Sequence, residues 1–157
     1  MKPVVLDENV LHVADGRNDA ATTACVEASI ERLIKLRQSE QLVMDDGDVI
    51  FDRYYALREF DPPYGIAMEF LLWVFVQRGS DRILDVSIHL DGTGEDSFVE
   101  FPDDLELTGF DHDDRKWVAV AIASGLHPPI VSATDSDWRD FEVPLSRYVR
   151  LEILCRP

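Results

Sequence analysis

Three apolar runs in this chain each end in an aspartate: Val4-Val5-Leu6 at Asp7, Leu42-Val43-Met44 at Asp45, and the run from Ile130 to Thr134 at Asp135. Short, continuous apolar runs of this kind read as buried strands of a parallel sheet. Between them the periodicity changes to that of helices. Val10, Leu11, Val13 and Ala14 mark a short helical turn, and Val26, Ile30, Leu33 and Ile34 recur at helical spacing from a Thr22 or Thr23 cap to about Arg37. Val49 to Phe60 predicts a helix stopped by Asp61-Pro62-Pro63. Gly65 to Gln77 is apolar on nearly every side, which predicts a central, buried helix. Asp113 to Ser124 reads as a further helix before the strand Ile130 to Ala133, and Val149 to Leu154 as a closing strand. Such alternation predicts an α/β sandwich with a mainly parallel sheet. In that architecture Asp7, Asp45 and Asp135 lie together on the carboxyl edge, where open α/β folds bind their ligands.

The chain between about 80 and 108 departs from this rhythm. Ile83, Val86, Ile88 and Leu90 suggest a short strand or irregular edge, Asp91-Gly92-Thr93-Gly94 a hairpin turn, and Phe98 to Phe101 an extended piece. We read it as a variable insertion within a single domain spanning 1–157. No window of about 18 or more apolar residues is present to span a bilayer. The segment Ile66 to Val76 is short and interrupted by Glu69. Met1 to Val10 lacks a signal-peptide pattern, so a cytoplasmic protein without membrane association is expected. Cys25 and Cys155 show no CxxC or CxxH spacing and read as buried free thiols.

From Gly109 to Trp138, two groups of carboxylates bracket one helix-to-strand unit. Asp111, Asp113 and Asp114 precede the helix, while Asp135 and Asp137 follow the strand. Several carboxylates held close together repel one another unless a cation joins them or protons are retained. Oxygen donors without a histidine or cysteine cluster suit the hard cations Mg²⁺ or Mn²⁺. Within this stretch Asp111 and Asp113 read as solvated loop charges, leaving Asp114 and Asp135 as the stronger metal ligands. With 31 acidic against 15 basic residues, and a formal charge of −16, the surface repels nucleic acid unless cations or a basic rim offset it. Arg32, Lys35 and Arg37, with Arg147, Arg150 and Arg156, are the residues available for such a rim.

Three blocks of sequence carry a family likeness. Val4-Val5-Leu6-Asp7-Glu8-Asn9-Val10-Leu11 resembles the opening of PIN-domain proteins, where an aspartate ends the first strand and a small polar residue two positions on supports it. Asp114 followed by Arg115 to Ala121 is similar to that family's acidic residue leading an alanine-rich helix, and Pro129 to Trp138 is similar to its late strand with an acidic turn. The resemblance implies a three-layer α/β/α sandwich and a metal-dependent ribonuclease of the kind often found as a toxin in toxin–antitoxin pairs. It implies that Asp7, Asp114 and Asp135 are catalytic and hold Mg²⁺ or Mn²⁺, with Asp137 as an auxiliary metal-binding acid. Asn9 and Asp45 are expected in support. The family's remaining acid is usually a glutamate before a tyrosine on the helix after the second strand. Here Arg53 precedes Tyr54, and Asp52 is the nearest replacement. A residue shifted by one position points about 100° away on a helix. RNA, a cognate antitoxin protein and a second copy of the chain are the partners this reading implies.

Two other classes fit parts of the pattern. A catalytically degenerate PIN-like interaction protein fits the missing glutamate and the negative charge. A phosphatase or receiver-like domain fits less well, because Asp7-Glu8-Asn9 is not Asp-x-Asp and no lysine is placed for a receiver. His12, His89, His112 and His127 lack zinc spacing, and no GxSxG elbow or P-loop is present.

Overall fold

The computed structural model describes residues 1–59 and 65–156. Five strands make one sheet: β1 (Lys2–Leu6), β2 (Glu40–Asp45), β3 (Ile83–Val86), β4 (Pro129–Ser132) and β5 (Arg150–Ile153). Their order is β3-β2-β1-β4-β5, and every pairing is parallel. The helices are α1 (Glu8–Ala14), α2 (Thr23–Ser39), α3 (Val49–Tyr55), α4 (Ile66–Gln77), α5 (Arg115–Ser124), α6 (Ser136–Asp140) and α7 (Glu142–Leu145). They flank the sheet in a three-layer α/β/α arrangement. Parallel neighbours require long crossovers, and helical crossovers bury both sheet faces. Val4, Val5, Leu6, Leu42, Val43, Met44, Ile130 and Val131 are fully buried for that reason.

Central β1 sets the position of the site. The chain builds outward from it through β2 to β3, then returns to build β4 and β5 on its other side. The direction of winding therefore reverses between β1 and β4, and a crevice opens at such a reversal, beyond the carboxyl ends of the strands. Leu6 pairs with Val131, and the Asp7 amide donates to the Val131 carbonyl at 3.0 Å, which brings the two strand ends level. Asn9 then joins the loops beyond them. Its Oδ1 accepts from the Thr134 amide at 2.8 Å and the Asp135 amide at 3.3 Å, while its Nδ2 donates to Thr134 Oγ1 at 3.2 Å. From the adjacent layer, the buried Tyr54 hydroxyl donates to the Leu6 carbonyl at 2.6 Å.

Several sequence expectations are corrected by packing. Helix α4 buries Ala67, Phe70, Leu71 and Val74 but leaves Leu72, Phe75 and Val76 58%, 66% and 73% exposed. It lies on the outside, so its uniform apolarity does not denote a central helix. On α2, Arg32 is buried rather than part of a basic rim, because it pairs with Glu40 at 2.6 Å and Glu152 at 2.5 Å. Ile34, on the same helix, is exposed. Ile83–Val86 is an integral edge strand paired with β2, although it falls within the stretch read as an insertion. The hairpin beyond it does form, with Leu90 bridging Phe98 across the glycine turn. Phe60 and the stop signal Asp61-Pro62-Pro63 lie outside the described residues.

Cys25 and Cys155 are not free thiols: they form a disulfide with Cα atoms 5.2 Å apart. The disulfide joins the first turn of α2 to the chain just after β5, and Arg32–Glu152 ties the same helix to β5 itself. That proximity spans 130 residues of sequence and is invisible to a spacing rule.

Candidate metal centre

Asp7, Asp114 and Asp135 each offer a carboxylate oxygen, and the three atoms lie within 4.8 Å of one another. They come from three separate elements. Asp7 follows β1 and caps α1, Asp114 closes the 3₁₀ turn His112–Asp114 that leads into α5, and Asp135 follows β4 and caps α6. Asp7 and Asp114 are buried, and Asp135 is partly so. A second trio at the same spacing joins Asp114 to Asp111 and Asp137. The structure thus brings together all three primary sequence candidates. It places Asp137 beside Asp111 and Asp114, and it returns Asp111 from the solvated loop charges to the acidic cluster.

Asp7 is fixed from two directions. Its Oδ1 accepts from the Asn9 amide at 3.1 Å, and its Oδ2 from the buried Trp138 indole Nε1 at 2.8 Å. Each carboxylate oxygen has a second lone pair available for a cation. Asp135 accepts from the Asp137 amide through Oδ1 at 3.0 Å, leaving Oδ2 for a ligand. Burial pushes the Asp7 carboxyl up to about 7 against the lowering pull of Asn9 and Trp138, with repulsion from Asp135 and Glu8 adding to the rise. Burial first, then the charges of Asp7 and Asp135, push Asp114 up to about 9. Asp137 is raised as well, by burial and then by Asp135 and Asp111. Without a cation the centre retains protons at neutral pH, and a cation would relieve both the desolvation and the repulsion. The all-oxygen donor set fits a hard metal ion, which Asp7, Asp114 and Asp135 can hold.

The other two supporting candidates lie elsewhere. Asp45 is fully buried and turned away to the start of α3, where it accepts from the amides of Gly47, Val49 and Ile50 at 3.0, 2.9 and 2.7 Å. Its three hydrogen bonds explain how a carboxylate at a strand end can be structural. Asp52 is exposed and does not line the cavity, as its helical position relative to Arg53 requires.

The acidic centre opens into a cavity of about 310 Å³ whose wall also holds Glu8, His12, Arg17, Asn18 and Arg53. Glu8 is the further acid that sequence reasoning passed over. It sits on α1 and pairs with Arg53, which donates through Nε at 2.8 Å and also through Nη2. Its position directly after Asp7, in the first turn of a helix opening at the carboxyl edge, was the available signal. Burial lowers the His12 imidazole, which keeps it largely neutral in this wall.

Fold and site together define an all-parallel α/β/α protein with a carboxylate centre at its topological switch point. Comparison with protein-family models, curated proteins and solved structures gives no match for the chain. No helix among the described residues is long and apolar enough to cross a membrane.

Proposed function

We propose that this chain is a PIN-type, divalent-metal-dependent endoribonuclease that hydrolyses RNA phosphodiester bonds. The observation that carries the reading is the convergence of Asp7, Asp114 and Asp135, from three separated elements, to within 4.8 Å at the sheet's switch point. Mg²⁺ or Mn²⁺ is the ion that such oxygen donors suit. When bound, an ion of this kind polarises a phosphoryl oxygen and lowers the pKa of water. The chain's own contribution is positioning. Trp138 and Asn9 hold Asp7 in one orientation, and Asn9 also fixes the loop carrying Asp135. Asp137 and Asp111 stand beside Asp114 as auxiliary acids. Arg17 and Arg53 supply positive charge in a wall otherwise dominated by acids, where a phosphodiester would enter.

The test begins with the melting temperature in millimolar Mn²⁺ or Mg²⁺. A rise in wild type that is lost in Asp7→Asn and Asp135→Asn is expected, because a ligand bound only by the folded state stabilises it. Metal-dependent cleavage of single-stranded or structured RNA, lost in Asp114→Asn, should follow. No metal-induced shift in wild type would sink the reading. The same proposal extends to a toxin role with a cognate antitoxin protein, and to self-association through the exposed apolar residues of α4.

A second reading, a degenerate PIN-like interaction protein, draws on Arg53. This cation occupies the place in the sequence where the resemblance implies a glutamate, and it engages Glu8 in the cavity wall. Metal binding without RNA cleavage is its expected signature.

A further inference from the structure

A cavity of about 350 Å³ is walled by Ala20, Thr22, Thr134 and the Cys25–Cys155 disulfide. The link therefore faces a space that a small solute can enter. Cys25 is buried, and Cys155 is the more open of the two, being only partly so.

The disulfide is one of two ties between the same pair of chain segments. The first segment runs from Asn18 into the first turn of α2, and the second comprises the end of β4, Thr134 and the tail after β5. The Leu154 amide donates to the Ser132 carbonyl at 2.9 Å, which keeps that tail beside the end of β4. The other tie is Asn18 Nδ2, which donates to Thr134 Oγ1 at 2.9 Å. Between Asn18 and Cys25 the chain is braced. Asn18 accepts from the Ala20 amide through Oδ1 and from the Ala21 amide through its carbonyl, both at 3.0 Å, and Thr22 Oγ1 accepts from the Cys25 amide at 3.2 Å. A shift at Cys25 is thus carried back to Asn18. From there it reaches the acidic centre, because Asn18 lines the acidic cavity and Thr134 shares the Asn9 carboxamide oxygen with the next residue, Asp135.

We propose that the Cys25–Cys155 link is a redox latch on the acidic centre: a dithiol reductant opens it in the folded protein, and the opened form holds a metal ion less tightly. The effect on the metal rests on the metal centre proposed above, whereas the opening itself does not. A thiolate of the dithiol attacks Cys155 Sγ, the more accessible sulfur, and the S–S bond breaks with its electron pair leaving on Cys25. Cys25 is the third residue of a 17-residue helix, where the first-turn amides favour a negative charge. The second thiol of the reductant then displaces Cys155 from the mixed disulfide. Two protein thiols have formed, taking the two protons that the dithiol gives up, and the dithiol is oxidised to its own disulfide.

The test compares oxidised wild type, wild type reduced by millimolar dithiothreitol without denaturant and then freed of it, Cys155→Ser, and oxidised Asn18→Ala. Thiol counting, amide hydrogen exchange and Mn²⁺ titration are read on each. Two thiols should appear in the reduced protein, and exchange at Ala20, Ala21 and Thr134 should quicken while the amides of β1 and β2 stay protected. Mn²⁺ affinity should fall about tenfold on reduction and in Cys155→Ser, as when a partner behind a metal ligand is lost, and should return when wild type is reoxidised. Asn18→Ala keeps the disulfide but loses the second tie, and should show part of the same fall. A link that dithiothreitol reaches only in denaturant, or a reduced chain that loses protection throughout, overturns the latch and makes the disulfide a structural staple. An Mn²⁺ affinity that both reduction and Asn18→Ala leave unchanged overturns it too. Quickened exchange without Mn²⁺ binding in any form would remove the metal centre and leave the dithiol-driven opening standing.

Discussion

Replacing Asp114 by asparagine should stabilise the metal-free protein, although it removes a residue of the centre. The Asp114 carboxyl is raised from 3.8 to about 9 by burial and by its acidic neighbours. A folded-state pKa above the unfolded value gives a contribution that is fully present below 3.8 and is lost as pH rises towards 9. At pH 7 the unfolded chain has ionised this group while the folded chain still holds its proton. At about 1.4 kcal/mol for each pH unit between 3.8 and 7, folding has lost up to about 4 kcal/mol. Asparagine does not ionise, and its amide can donate to Asp135 as the protonated acid does. In EDTA, Asp114→Asn should therefore melt higher than wild type at pH 7 to 8, by about 10 °C for that free energy. The two should converge near pH 4. Saturating Mn²⁺ should reverse the order, since only wild type then gains binding energy. Calorimetry at pH 4, 7 and 8.5, with and without Mn²⁺, measures all of this. A variant less stable than wild type at pH 8 in EDTA, or a difference independent of pH, would refute the reasoning.

Trp138→Phe removes the indole donor that holds Asp7 down, so the Asp7 carboxyl should rise further and Mn²⁺ affinity at pH 7 should fall about tenfold. The gap should narrow as pH rises past the range of that carboxyl, a trend that a simple packing defect would not produce. Denatured, unreduced protein should give no reactive thiol, and two reactive thiols would contradict the Cys25–Cys155 link. Dithiothreitol should lower stability by about 5 kcal/mol, as the chain-entropy relation gives for a cross-link closing a loop of this length, and a urea titration with and without reductant reads that loss.

Where one strand or one cap determines the outcome, the sequence was legible. The apolar runs ending at Asp7 and Asp135 locate the carboxyl edge because a parallel strand buried on both faces has a compositional signature. Thr22 is the cap of α2 because its hydroxyl can satisfy an amide three residues on. Residues whose role depends on a distant partner were not legible. Asp45 ends a strand as Asp7 does, yet it is satisfied by the α3 amides, and nothing in Met44-Asp45-Asp46 distinguishes the two cases. Arg32 looked solvated because its partners are 8 and 120 positions away. Glu8 was overlooked beside the more conspicuous Asp7. The outer position of α4 was hidden by its apolarity, since composition reports how much surface a helix prefers to bury and not how much its neighbours cover.

The parallel pairing of β1 with β4 also imposes an order of assembly. Strands β1, β2 and β3 lie between residues 2 and 86 and can associate during synthesis, but the other flank of β1 stays open until residue 131 is available to pair with Leu6. Asp7 is made more than a hundred residues before its partners at 114 and 135. Contacts of such long sequence separation form slowly. A nascent chain therefore carries one member of its acidic centre without a functioning site while the segment up to residue 135 is made, and any activity that depends on the three aspartates begins only once β4 has paired with β1.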